Sequence, residues 1–337
     1  MPLRAVDATA ANTTRTTLPH WGAVAARVAR VPRVPRVARR LWMALITLGG
    51  APLLAGTALP VVAAEGAEGA EGPPVTEATT TAALLPEHRI VAFYGNPRSA
   101  AMGVLGQLPP EQMLDQLEQQ AQAYVALDPH TPVRPALELV AVLAQQAPGA
   151  DGRYRGRASA EEIEQVAAWA RSRGYLVILD IQPGRSTFAA EVEALAPFLA
   201  QPDIHLALDP EWAMAPGQTP GQTIGSTDAA TVNQTIQTLA GIVAEHNLPP
   251  KLLIVHRFQD RMLANAEQID LDPRVQVVIT MDGVGGPEAK IGRYGQVVRN
   301  QPVQFAGFKV FYTEDTNPLR PEQVLGLDPA PHVVIYQ

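Results

Sequence analysis

Asp180, Asp209, Glu211 and Asp282 each stand at or just past the end of an apolar run, in "VILDIQ", "LALDPEW" and "VITMDG". Carboxylates gathered at one place cannot all ionise cheaply, so at least one is held protonated beside a charged neighbour. An acid beside a carboxylate is what hydrolysis of a glycosidic bond requires. In "DPEW", Asp209 and Glu211 are two apart, so on a strand they would share one face. Pro210, which cannot donate a ladder hydrogen bond, suits the strand's end. The spacing therefore predicts Glu211 as general acid and Asp209 as its electrostatic partner. Asp180 and Asp282 are candidates for a second base or for holding substrate. The competing reading is that these acids cap loops and pair with Arg or Lys, as acids at strand ends often do.

The ends of the other runs carry further polar and aromatic residues. Tyr94, Asn96, Gln182, Trp212, His256, Lys309, Tyr312, Glu314 and Tyr336 are predicted to line a substrate site. The aromatic ones would offer platforms for sugar rings. Lys309 and Arg257 need acidic partners if buried. His205 and His332 fall at the opposite ends and read as structural. Glu138 lies within its run rather than at its end.

The elements that must position these residues are legible from residue 88 onward. Eight short runs rich in β-branched and apolar residues recur: 89–95, 133–142, 175–182, 204–212, 251–258, 275–283, 305–314 and 332–337. Near-continuous apolar runs are typical of parallel strands covered on both faces. Helical patterns separate them. One begins with prolines before "EQMLDQLEQQAQAYVALD". Another opens at Ser159 with Glu162 three residues on, a capping box, and stops at Gly174. Further helices are expected in 186–201 and 226–247, shorter ones in 262–268 and 287–299, and only a brief turn at 320–326. Eight strands alternating with helices over about 250 residues predict a (β/α)8 TIM-type barrel whose last helix is missing. An open doubly wound sheet would want a G-x-G-x-x-G first turn, and "YGNPRSAAMGVLG" has none. In such barrels the active site lies at the C-terminal strand ends, where the acids fall.

Before the barrel the texture differs. Residues 1–40 are basic towards their end, 41–64 carry no charge, and 65–87 form a Glu/Gly/Ala/Thr/Pro tract. A basic stretch before an apolar run reads as an export signal cleaved after Ala64, or as a membrane tether through 41–64. The tract 65–87 reads as a flexible linker, and the barrel domain is expected over 88–337. Either reading places the barrel outside the cytoplasm.

The chain has 337 residues, 47% of them hydrophobic, a net charge of −7 and no cysteine. Mild acidity argues against a nucleic-acid partner. Absent cysteine excludes disulfides, thiolate metal sites and a cysteine nucleophile. The H-x-H pattern of metal-dependent hydrolases and a G-x-S-x-G elbow are both missing, so no metal, no cofactor and no serine nucleophile are expected. The predicted partner is a carbohydrate, and the predicted activity is that of an exported glycoside-hydrolase-like enzyme. The alternative is a non-catalytic carbohydrate-binding or envelope scaffold barrel.

The "DPEW" stretch resembles the D-x-E ending of strand four in chitinase-like barrels of glycoside hydrolase family 18. That resemblance implies that Glu211 is the acid and that Asp209 steers the substrate's acetamido group. The family's pattern has a further Asp two positions before this one, where this chain has Ala207. More broadly, "LDIQPGRS", "LALDPEW", "GQTIGSTDAA" and "DTNPLRPEQVL" are similar to stretches in a family of secreted or lipid-anchored bacterial barrel proteins of unassigned activity. That similarity spans most of 88–337 and implies the fold and export.

Overall fold

The computed structural model describes residues 83–337. The basic region 1–40, the apolar run 41–64 and all but the end of the spacer lie outside the described residues. Among the described residues no helix is long and apolar enough to cross a membrane.

Eight strands form the centre: β1 (Arg89–Gly95), β2 (Val133–Ala144), β3 (Leu176–Ile181), β4 (Ile204–Leu208), β5 (Lys251–Arg257), β6 (Val275–Met281), β7 (Phe305–Val310) and β8 (Val333–Tyr336). Each pairs in parallel with the next, and β1 also pairs with β8, so the sheet closes into a TIM-type barrel. A short strand at Arg155–Arg157 adds antiparallel to the outer end of β2. The helices are α1 (Pro110–Leu127), α2 (Ala160–Ser172), α3 (Phe188–Leu199), α4 (Ala229–His246), α5 (Pro287–Tyr294) and the single turn α6 (Pro321–Leu325). No described helix follows β8.

Local chemistry explains these boundaries. Ser159 Oγ accepts from the Glu162 amide, and the Glu162 carboxylate accepts from the Ser159 amide at 2.7 Å. Two of the start's orphan donors are thereby satisfied. Gly174 follows α2 at φ +69°, the left-handed conformation that glycine adopts without steric cost. The helix expected over 262–268 does not form. Asn265 sits at φ 54° and divides the segment into two single 3₁₀ turns. Between them, Leu263–Ala264 pairs with Thr227–Asp228.

Strand residues alternate between two separate apolar clusters, as a period of two demands. Leu137, Val177, Leu253, Val277, Phe308 and Val334 pack outward with the helices. Ile90, Ala136, Ile178, Ile254, Val278 and Ile335 fill the barrel interior. At the bottom, the Gln276 amide accepts from the Leu84 and Leu85 backbone and donates back to Leu85, so this segment plugs the barrel.

Two interior positions carry testable consequences. Gly307 faces Thr280 across β6 and β7, and a Cβ there would sit 2.1 Å from Thr280 Oγ1. Gly307→Ala is expected to destabilise the barrel by about 1–3 kcal/mol through overpacking, read as a lower urea midpoint. His205 lies lower in the barrel, where its Nδ1 accepts from the Leu252 amide at 3.1 Å. Burial and the Lys251 charge, opposed by Asp203, pull its pKa down to about 3. A folded-state value below the unfolded one stabilises above the unfolded pKa and loses that stability as pH falls through the folded value. Wild type should therefore lose a few kcal/mol more than His205→Gln between pH 6.5 and 3, measured as urea midpoints along that range.

Candidate active site

At the C-terminal end of the barrel, inward positions of seven successive strands become polar. Tyr94 comes from β1, Glu138 from β2, Asp180 from β3, His256 from β5 and Lys309 from β7. Asp209 and Asp282 follow the last residues of β4 and β6. Their side chains interlock. Tyr94 Oη donates to Asp180 Oδ2 at 3.0 Å and accepts from Gln182 Nε2 at 3.1 Å. His256 Nε2 lies 2.9 Å from Glu138 Oε1. Its Nδ1 lies 3.2 Å from Asp282 Oδ2, within ion-pair distance but without hydrogen-bond alignment. Lys309 Nζ donates to Asp282 Oδ2 at 3.2 Å and sits 3.5 Å above the Tyr94 ring. The cluster is sealed: Glu138, Asp180 and His256 are fully buried, and Met102 from the loop after β1 joins the interior apolar cluster beside Tyr94.

These surroundings push the groups apart. Burial drives the Asp180 carboxyl up to about 7, with His256 and Lys309 opposing and Glu138 adding to the rise. Burial likewise raises Asp209 well above the usual carboxylate range, and the charges of Asp180 and Glu211 add to it. Burial would also raise Asp282, but Lys309 and His256 hold it below its ordinary value. Burial alone would lower His256, yet Asp282 and Glu138 keep it well above its normal value. Lys309 is raised despite its burial by Asp282 and the other carboxylates. Buried charges of this kind are costly unless paired, and here they concentrate at the end where barrel enzymes work.

The pairing expected for Asp209 and Glu211 needs correction. β4 ends at Leu208, and Pro210–Trp212 form a single 3₁₀ turn. The two carboxylates therefore do not alternate along one strand. Asp209 turns into the buried cluster, whereas Glu211 and Trp212 are half-buried on the turn above it. That turn is pinned by Gly225, whose amide donates to Glu211 O at 2.6 Å. A Cβ on Gly225 would come within 2.3 Å of Ala213 O, so no larger residue fits there without a shift. The residue whose acidity is suppressed is Asp209.

The structure brings together Tyr94, Asp180, Gln182, Asp209, His256, Asp282 and Lys309, sets Glu211 and Trp212 on the turn beside Asp209, and places the other predicted residues elsewhere. Tyr336 pairs in register with the outward Phe93, and its hydroxyl lies 2.6 Å from that of Tyr124 on α1. Tyr312 stacks on Tyr336 and donates to Gln120, also outside the interior. Neither offers a platform inside the barrel. Glu314 is exposed on the loop after β7. Asn96 is buried where its Nδ2 donates to Val140 O at 3.3 Å. It forms the wall of a cleft of about 320 Å³ beside the mouth, shared with Arg98, Glu162, Gln165 and Trp169. Arg257, expected to meet the ring of acids, instead turns outward and donates to Gln301 and to Asp260 O.

Glu138 is the residue that sequence reasoning left out of the candidate site. β2 runs on to Ala144, well past the level of the mouth, so the end of the run did not mark the site. The signal was a lone carboxylate inside an apolar run on the inward parity. Glu138, Asp180 and His256 each bring one donor atom within 4.8 Å of the others, making them the described residues that could hold a metal.

No protein-family model matches the chain, and no curated protein matches it. Among solved structures, the chain is similar to a 2,3-dimethylmalate lyase of the PEP mutase/isocitrate lyase superfamily, at 13% identity and a TM-score of 0.40 over 74% of this chain and 76% of that one. It is similar to tryptophan synthase from M. tuberculosis at 13% identity and a TM-score of 0.32, over 74% and 83%. A ruminal GH26 endo-beta-1,4-mannanase aligns at 11% identity and a TM-score of 0.32, over 74% and 59%.

Proposed function

We propose that this barrel is a hydrolase acting on a carbohydrate outside the cytoplasm, with Asp209 as general acid and Glu211 as the second carboxylate. One observation carries the reading. A buried carboxyl whose pKa is raised, Asp209, is joined through Pro210 to a half-buried carboxylate and a tryptophan at the C-terminal end of the barrel. Asp209 Oδ1 is buried and has no hydrogen-bond partner, so a substrate must displace the covering turn to reach it. A carboxylic acid whose pKa is raised keeps its proton to higher pH and can donate it to the oxygen of a leaving sugar. Trp212 beside Glu211 offers an aromatic face to a sugar ring. The interlocked groups beneath, from Tyr94 to Lys309, hold the floor of the site and fix its field.

The test is incubation of the full-length chain with a panel of polysaccharides and aryl glycosides, with products read by mass spectrometry. Cleavage of at least one glycan is expected, and Glu211→Gln should lower kcat by about 10²-fold or more. Binding without cleavage would favour the non-catalytic carbohydrate-binding barrel, and neither binding nor cleavage would remove carbohydrate from consideration.

A further inference from the structure

We infer that Glu138, Asp180 and His256 form a site for one divalent transition-metal ion of the Zn²⁺ or Mn²⁺ class. This departs from the sequence expectation, which looked for an H-x-H pattern and found none. It goes beyond the carbohydrate reading and is tested without substrate.

The spacing fits a metal polyhedron. His256 Nε2 and Glu138 Oε1 are 2.9 Å apart, and bonds of about 2.1 Å set neighbouring octahedral donors about 3 Å apart. Glu138, Asp180 and His256 each offer one donor atom within 4.8 Å of the others, so small side-chain shifts would complete a three-residue face. With the ring proton on Nε2 this contact is a hydrogen bond, and a bound metal ion would take that proton's place.

The unmatched atoms supply an independent observation. Glu138 Oε2 and Asp180 Oδ1 are buried and have no hydrogen-bond partner, on side chains that are fully inaccessible. Buried carboxylate oxygens without partners are uncommon and cost about 1–3 kcal/mol or more each. A cation bound by these two carboxylates would offer such oxygens a partner.

The surroundings also fit. A metal-bound histidine usually directs its second ring nitrogen at a carboxylate, which fixes the ring. His256 Nδ1 faces Asp282, which Lys309 holds in turn. Asp180 Oδ2 is held by Tyr94, and Tyr94 by Gln182. One imidazole with two carboxylates and no thiolate suits Zn²⁺ or Mn²⁺ and excludes Cu⁺.

The experiment uses the full-length chain, produced in medium containing Zn²⁺ or Mn²⁺ and purified by gel filtration without chelator. Metal content per chain is measured by inductively coupled plasma mass spectrometry. About one equivalent is expected in wild type and close to none in Glu138→Gln/Asp180→Asn. The Mn²⁺-loaded wild type is then examined by pulsed electron paramagnetic resonance, where coupling to one imidazole nitrogen is expected. The second measurement decides the matter even if the variant does not fold. Wild type at the metal background would overturn the inference and leave the His256–Glu138 contact as a hydrogen bond. A full equivalent retained by the folded variant, or Mn²⁺ without nitrogen coupling, would overturn it by placing the ion elsewhere.

Discussion

His256→Leu is expected to lower the unfolding free energy by about 3–5 kcal/mol. The ring lies between Glu138 at 2.9 Å and Asp282 at 3.2 Å, at the C-terminal end of the barrel. Removing it leaves two carboxylates with Lys309 as the remaining cation beside them. Charge left unpaired in a low-dielectric interior costs more than the pair contributed, so the loss should exceed that of an ordinary core truncation. The companion variant Glu138→Met/His256→Leu removes one charge of each sign and fills the space with apolar atoms. It should be more stable than His256→Leu alone, with a coupling energy of about 1–3 kcal/mol in the cycle. Urea unfolding of the two single variants and the double variant gives that number directly. Additive losses would show that His256 contributes by packing and not by bridging.

How much of this cluster was legible depended on where each strand stops. Asp180, His256 and Lys309 stand at inward positions near the ends of their runs, and period-two alternation places them correctly. Asp282 follows on the same parity. The alternation also misled. Asp209 and Glu211 were placed on one face because the pattern was continued through Pro210, but the chain leaves the ladder there and winds into a turn. Tyr336 was placed in the mouth because it ends the last run, yet its register opposite Phe93 turns it towards α1. Register is a property of pairing across strands, and no single run carries it. Glu138 illustrates the same limit. It pairs with Tyr94, in the uppermost layer of β1, while its own strand continues six residues further. Its depth in the barrel became visible only once β1 and β2 were aligned. The barrel itself was the most legible feature, because eight apolar runs separated by helical patterns, without a dinucleotide-binding first turn, point to a closed parallel sheet whatever the register.

Asp209→Asn is expected to reduce kcat on a natural glycan by about 10²–10⁴-fold, the contribution typical of a general acid. Folding should hardly change, since burial already favours the neutral carboxyl and Asn is neutral and isosteric. The pH dependence fixes the assignment. Burial, then Asp180, raise the folded-state pKa of Asp209 above its unfolded value. Such a group is protonated, and its stabilising effect complete, below the unfolded pKa; both are lost as pH rises through the folded value. Wild type should therefore lose activity and some stability on the alkaline side, and Asp209→Asn should lack that part of the stability slope. Leaving-group chemistry separates the two carboxylates. A dinitrophenyl glycoside leaves without protonation, so Asp209→Asn should regain most of its activity on it, while Glu211→Gln should stay impaired. The reverse pattern would return the acid's role to Glu211, the residue that "DPEW" first suggested, and would leave Asp209 as its buried electrostatic partner.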